Sequence, residues 1–437
     1  MDDRTGSAET GARTGSRRHR LWKALGPGLI TGAADDDPSG IATYSQAGAQ
    51  FGFDLAWSLL LTYPLMVAIQ AVSARIGRTT GHGIAGNLRA HYPGWLVQSM
   101  VLLLFAANTL NIGADLGAMA ESARLLLPGV PGWLYVLAFG VICIVGQLFI
   151  QHGRYVAVLK WLTLSLFAYF ATLGVVHVHW VQLAKDLFWP RFARADQFWL
   201  TLVAILGTTI SPYLFFWQAA EEVEDTRTSA TRSPLRAAPR QGPAALARIR
   251  VDTAVGMAFS NLVAMAILVT AAATLHEAGL RDISTAAQAA QALKPLAGSL
   301  AFALFALGII GTGLLSIPVL ACSAAYALGE ARGWHVGLDR KPGRAKAFYA
   351  AIVAATLLGA AGNIAALNPV KALVWVAVLN GIVAVPLMVL VMLLGSRREI
   401  MGEFRISGLT RAGGWLATLV MAVAAGALLV SLALPGH

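Results

Sequence analysis

Apolar residues along this chain gather in long runs, not at the short alternations of half-buried strands. Nearly unbroken stretches occupy 95–105, 133–150, 161–176, 262–273, 299–320, 350–361, 372–394 and 415–434. A helix needs roughly 20 apolar residues to cross the hydrocarbon core of a bilayer. A transmembrane barrel would instead show alternating segments of about 10 residues, and none is present. The pattern predicts an all-α polytopic membrane protein with eleven spans, at 24–50, 54–77, 95–127, 131–150, 155–179, 197–220, 252–275, 299–328, 347–366, 370–394 and 412–434.

Charge supports the reading and orients it. Only 13% of the 437 residues are charged and 57% are hydrophobic, against about a quarter charged in soluble proteins. The net charge of +11 would fit a nucleic-acid partner, but its distribution does not. Basic residues cluster on one set of loops, at Arg75, Arg78, Arg89, Arg154, Lys160, 227–250, 332–346 and 397–411. The opposite loops hold only Lys185, Arg191, Arg194, Arg281 and Lys294. By the positive-inside rule the N-terminus is cytoplasmic and the C-terminus external. Residues 1–23, polar and Arg-rich without an apolar core, read as a cytoplasmic tail and not a signal peptide. Cys143 and Cys322 offer no disulfide or metal-ligand spacing.

Five spans (24–179) precede an external connector at 180–196, five more follow (197–394), and 395–437 add an eleventh. A repeat of odd span number re-enters the membrane from the opposite face, so the halves are expected to be inverted copies. The loop at 222–250, rich in Arg, Ser, Thr and Pro, reads as a flexible connector.

Two spans carry residues that a membrane helix should not. In the first, Asp35, Asp36, Asp37, Pro38, Ser39 and Gly40 follow one another. Each charge at the bilayer centre costs about 2.5–3.5 kcal/mol on insertion scales, and proline removes a backbone donor and clashes with the preceding turn. Unwinding at Ser39-Gly40 is expected, with free backbone tolerated only where it lines a cavity or lies within protein. The sixth span is interrupted in the matching place, with Gly207, Thr208, Thr209, Ser211 and Pro212. Paired breaks of this kind mark a transporter's binding site. Hard oxygen donors suit Mg²⁺, Ca²⁺ or Mn²⁺. Asp37, beside the proline, is the foremost candidate ligand; Asp35 and Asp36 are expected in a vestibule that attracts cations. Asp115, on one helical face with Asn108 and Asn111, is a candidate relay, since a buried intramembrane carboxylate is a functional hypothesis by default.

The residues Gly26-Pro27-Gly28, Asp37-Pro38 and Pro212 resemble the NRAMP family of divalent-metal transporters. The resemblance covers roughly residues 22–430 and implies a LeuT-type inverted-repeat fold with discontinuous spans 1 and 6. It implies metal ligation by Asp37, Ser211, Thr208 and Gly40, with Asp36, Asp115, Tyr213, Gln218 and Asn380 in supporting or pathway positions. The family's Asp-Pro-Gly-Asn stands here as Asp37-Pro38-Ser39-Gly40, and its Met-Pro-His as Ser211-Pro212-Tyr213. A second family histidine maps to Gln218, and a glutamate of the span 3 acidic pair maps to Ala118. Losing the methionine sulfur weakens discrimination against hard ions. The chain thus resembles the NRAMP-related magnesium transporters, and proton coupling is not expected.

The expected substrate is therefore a divalent cation, Mn²⁺ or Mg²⁺, moved across the cell membrane by a monomer that needs no cofactor, with the lipid bilayer as its other partner. A sodium-coupled amino-acid carrier of the same fold is the main rival, but Asp37 would repel a substrate carboxylate. A membrane-embedded enzyme would need a catalytic motif that the sequence lacks. A non-transporting sensor of the same fold is the third alternative.

Overall fold

The computed structural model describes residues 31–32, 34–149, 166–190, 192, 196–364 and 368–433. The tail at 1–23, the beginning of the first span and the beginning of the fifth lie outside the described residues. Described are α1 (Pro38–Phe51), α2 (Ala56–Thr80), α3 (Ile84–His91), α4 (Gly94–Leu126), α5 (Gly132–Phe149), α6 (Phe167–Leu173) and α7 (Trp180–Phe188). After them come α8 (Asp196–Thr209), α9 (Pro212–Thr228), α10 (Gly242–Ala271), α11 (Ala301–Arg332), α12 (Lys346–Ile364), α13 (Pro369–Ser396) and α14 (Gly408–Ala433). Among the described residues, eight helical stretches are long and apolar enough to cross a membrane, with α8 and α9 counted as one.

The helices sort into two packed groups. In one, α2 packs on α9 and α10, and α1 on α10 and α8. In the other, α4 packs on α5, α11 and α12. Between them α13 touches α1, α4 and α8, while α14 lies outside against α2, α8 and α13. Burial follows this arrangement. In its most apolar stretch α8–α9 is 89% buried, whereas α5 is only 22% buried and turns Val141, Ile142, Val145 and Phe149 outward. The apolar runs that periodicity could not orient thus divide into central and lipid-facing helices.

Two close approaches depend on glycine. A side-chain carbon at Gly207 would stand 2.0 Å from the Ala377 carbonyl oxygen of α13, and one at Gly77 would stand 2.1 Å from the Ala219 carbonyl oxygen of α9. Only a residue without Cβ lets these backbones meet. Gly207, which the sequence places among the oxygen donors of the second break, serves this contact instead.

The segment 222–250 departs from the flexible connector that its composition predicts. Helix α9 runs on to Thr228, and α10 begins at Gly242. Between them the chain is docked: Arg78 donates to the Ser233 carbonyl and the Gln241 side chain, both at 2.8 Å, and Leu235 is fully buried. The backbone N–H groups of Leu235 and Arg236 donate to the Arg78 and Thr79 carbonyls. Arg248 pairs with Glu222 at 2.5 Å, and Arg232 pairs with Asp225. Glu224 accepts from the Tyr326 hydroxyl at 2.7 Å and from Leu338 N–H at 3.0 Å. The acidic cluster at the end of α9 is therefore held by internal partners.

Candidate functional site

Both breaks arise from the same local chemistry. Proline fixes its own φ and lacks an N–H, so it is favoured as the first residue of a helix, where no intrahelical donor is needed. Pro38 opens α1 after Asp37, and Pro212 opens α9 after Ser211. Each preceding residue is extended, with ψ of 170° at Asp37 and 134° at Ser211, as the residue before a proline prefers. The interruptions are narrow, at Asp36–Asp37 and at residues 210–211. Ser39 and Gly40, expected to be unwound, lie instead in the first turn of α1.

Asp37 caps that turn. Its Oδ1 accepts from Gly40 N–H and from the Ser39 hydroxyl, both at 2.8 Å. An N-cap carboxylate satisfies donors that a helix start leaves free and sits at the positive end of the helix dipole. Gly40, expected as a metal ligand, supplies a backbone donor to Asp37. Its missing side chain lets the second break approach, since a Cβ there would lie 3.2 Å from Thr208 Oγ1 and 3.3 Å from the Tyr44 ring. Thr208 is therefore beside the first break, as the sequence leads one to expect.

The other carboxylate oxygen faces the second helix group. Asn111 Nδ2 donates to Asp37 Oδ2 at 3.1 Å and to Asp115 Oδ2 at 3.3 Å, one amide hydrogen for each acid. Asn380 on α13 donates to Asn111 Oδ1 at 3.2 Å, and Ser316 on α11 donates to Asp115 Oδ2 at 3.2 Å. Asp115 and Asn380 join Asp37 through one residue, Asn111, which the sequence marks only by the helical face it shares with Asp115. That four-residue spacing is the signal for it. Ser316 carries no signal in its apolar helix.

Other candidates take different places. Tyr213 OH donates to the Ala34 carbonyl at 3.0 Å, tying α9 to the helical turn before the first break. Ser211 turns its hydroxyl back to the Gly207 and Thr208 carbonyls, at 2.7 and 2.9 Å, and so closes the end of α8. Gln218 accepts from the Thr31 hydroxyl, lower on the same pair of elements. Asp36 and Asp35, expected to face a vestibule, are 2% and 0% exposed. Both accept from the single hydroxyl of Ser260 on α10.

The result is an enclosed, oxygen-rich seam between the two helix groups. Asp37 is 2% exposed and Asp115 fully buried, and among the described residues no Lys, Arg or His pairs with Asp35, Asp36, Asp37 or Asp115. Buried carboxylates without basic partners are costly unless hydrogen-bonded or met by a cation. Among the described residues no three His, Cys, Asp or Glu side chains converge as a dedicated metal cage. The seam is suited to a cation held by one carboxylate, amides, hydroxyls, carbonyls and its own water.

Comparison with known proteins agrees with this architecture. The divalent metal cation transporter MntH of Deinococcus radiodurans is 28% identical over 348 residues, covering 77% of this chain and 76% of the relative. The transporter of the same name from Acidiphilium cryptum is 28% identical over 394 residues, or 88% and 85% of the two chains. A manganese transporter of Eremococcus coleocola, solved with an aromatic bis-isothiourea substituted compound, superposes with a TM-score of 0.71 at 18% identity. That superposition covers 96% of this chain and 90% of the other, and it establishes the fold, a LeuT-type arrangement with two discontinuous spans. A family model described as natural resistance-associated macrophage protein-like matches residues 28–431, nearly the whole chain, and the protein therefore belongs to the Nramp family.

Proposed function

We propose that this protein carries a divalent metal cation, Mn²⁺ or Mg²⁺, across the cell membrane by alternating access, with its N-terminus in the cytoplasm. The observation that carries this reading is the Asp37 carboxylate, fixed between the two helix groups by donors from both. An incoming cation takes the place of the Asn111 amide at Asp37 Oδ2. The neighbouring Thr208 supplies a further oxygen from the second break, and Asp115, Ser316 and Asn380 reorient Asn111 as its hydrogen bond is replaced. Because one ligand belongs to α1 and its supports to α4, α11 and α13, ion binding changes the contact between the groups that must move apart for the site to open.

The donor set favours a hard or borderline ion that keeps some of its water. Transport proceeds without proton coupling, a reading supported by Gln218 and Ala118, which offer no titratable side chain where the family resemblance implies a histidine and a glutamate. The bulk of the chain's positive charge lies in the loops assigned to the cytoplasm. The test is uptake of radiolabelled Mn²⁺ into proteoliposomes, with competing Mg²⁺ and with an imposed pH gradient. Saturable uptake that Mg²⁺ inhibits, that the gradient leaves unchanged and that Asp37→Ala abolishes supports the proposal. Absence of uptake by correctly folded protein would overturn it.

A further inference from the structure

The first break and its surroundings hold more buried carboxylates than the Asp37 site uses. Four buried acids lie there, Asp35, Asp36, Asp37 and Asp115, none more than 2% exposed. Asp37 is provided for by Gly40, Ser39 and Asn111. Asp35 and Asp36 are not. They share the Ser260 hydroxyl, which has one hydrogen to give, and among the described residues Asp35 Oδ1 and Asp36 Oδ2 are buried with no hydrogen-bond partner. A buried acceptor left unmatched costs more than most interactions in a fold return, and two adjacent ones, paired with no basic side chain among the described residues, are placed to engage a cation.

We propose that Asp35, Asp36 and Ser260 form a second divalent-cation site, at the start of the first break and facing α10. The inference rests on the reading of Asp37 as the cargo site and extends it. Two carboxylates and a hydroxyl give three hard oxygen donors, with water filling the remaining positions of a Mg²⁺- or Mn²⁺-sized ion. The site also gives the three consecutive aspartates separate roles, since Asp37 turns toward α4 while its two predecessors turn toward α10.

Equilibrium dialysis of Mn²⁺ against the purified full-length protein decides the matter. Two bound ions per chain are expected, falling to one in the Asp35→Asn/Asp36→Asn double variant and to one in Asp37→Asn. Ser260→Ala, which keeps both carboxylates, is expected to weaken only one of the two binding steps, by roughly tenfold or more as for loss of other supporting contacts. Elution and thermal unfolding like the wild type establish that each variant is folded. A single ion per chain that survives the double variant but not Asp37→Asn overturns the second site and leaves the cargo reading intact. A single ion lost in the double variant and kept in Asp37→Asn overturns the cargo reading at Asp37 instead. Two ions that both survive the double variant also overturn the proposal.

Discussion

The two helix breaks share a backbone and differ in side chain. Asp37-Pro38 and Ser211-Pro212 each place an extended residue before a proline that starts a half-helix. At the first, the side chain caps its own helix and reaches Asn111 across the seam. At the second, the side chain folds back on the preceding helix, and contact with the first break comes from Thr208 and the next residue, Tyr213. The proline makes the gap, then, and the residue before it decides whether the gap contributes a carboxylate. Here one break is a charged pole and the other chiefly a framework.

Five substitutions sharpen or break that asymmetry. Asp37→Ala removes the pole itself and is expected to reduce Mn²⁺ uptake at least about 100-fold, more than loss of a supporting residue costs. Asn111→Ala keeps the carboxylate but unties it from Asp115 and Asn380, and initial uptake rates should fall roughly 10–100-fold. Ser211→Met turns the framework break into a second ligand with a soft donor. Mg²⁺ should then compete about tenfold less well against Mn²⁺ in uptake assays, a change of about 1.4 kcal/mol. Tyr213→Phe deletes one hydrogen bond to Ala34, worth about 1 kcal/mol, and uptake should fall no more than about fivefold. Smallest of all, Ser211→Ala loses only hydroxyl contacts to the end of the preceding helix, which add little to helix stability. Its uptake and thermal unfolding should stay near the wild type. A large defect there would show that the Ser211 hydroxyl takes part in binding after all.

Much of this was legible in the sequence because it rests on local rules. The described helices fall largely where the apolar runs placed them, although α10 begins about ten residues early at Gly242, α9 runs on past 220 to Thr228, and α6 ends at Leu173, short of 179. Pro38 and Pro212 fall at helix starts, where the missing N–H and the fixed φ cost nothing. Asp37 was legible because an acid within a span is tolerated only where a partner or an ion compensates it, and the adjacent proline frees the backbone donors that do so. What stayed hidden depended on partners far along the chain. Ser260 and Ser316 are single hydroxyls in apolar helices, and only packing brings them to acids 225 and 201 residues away. Asp35 and Asp36 looked exposed because three adjacent charges favour water, yet the turn of the break points them at α10. The loop at 222–250 had the composition of a flexible linker, and its order comes from Arg78 contacting residues 155 and 163 positions distant.

The glycine contacts give the broken span two allegiances. Gly207 welds the piece before the break to α13, whereas Gly77 welds α2 to the piece after it, at Ala219. No Cβ cushion lies between these backbones, so neither piece can slide on its neighbour without a collision. Residues 210–211 therefore separate two rods anchored on different neighbours, α8 on α13 and α9 on α2.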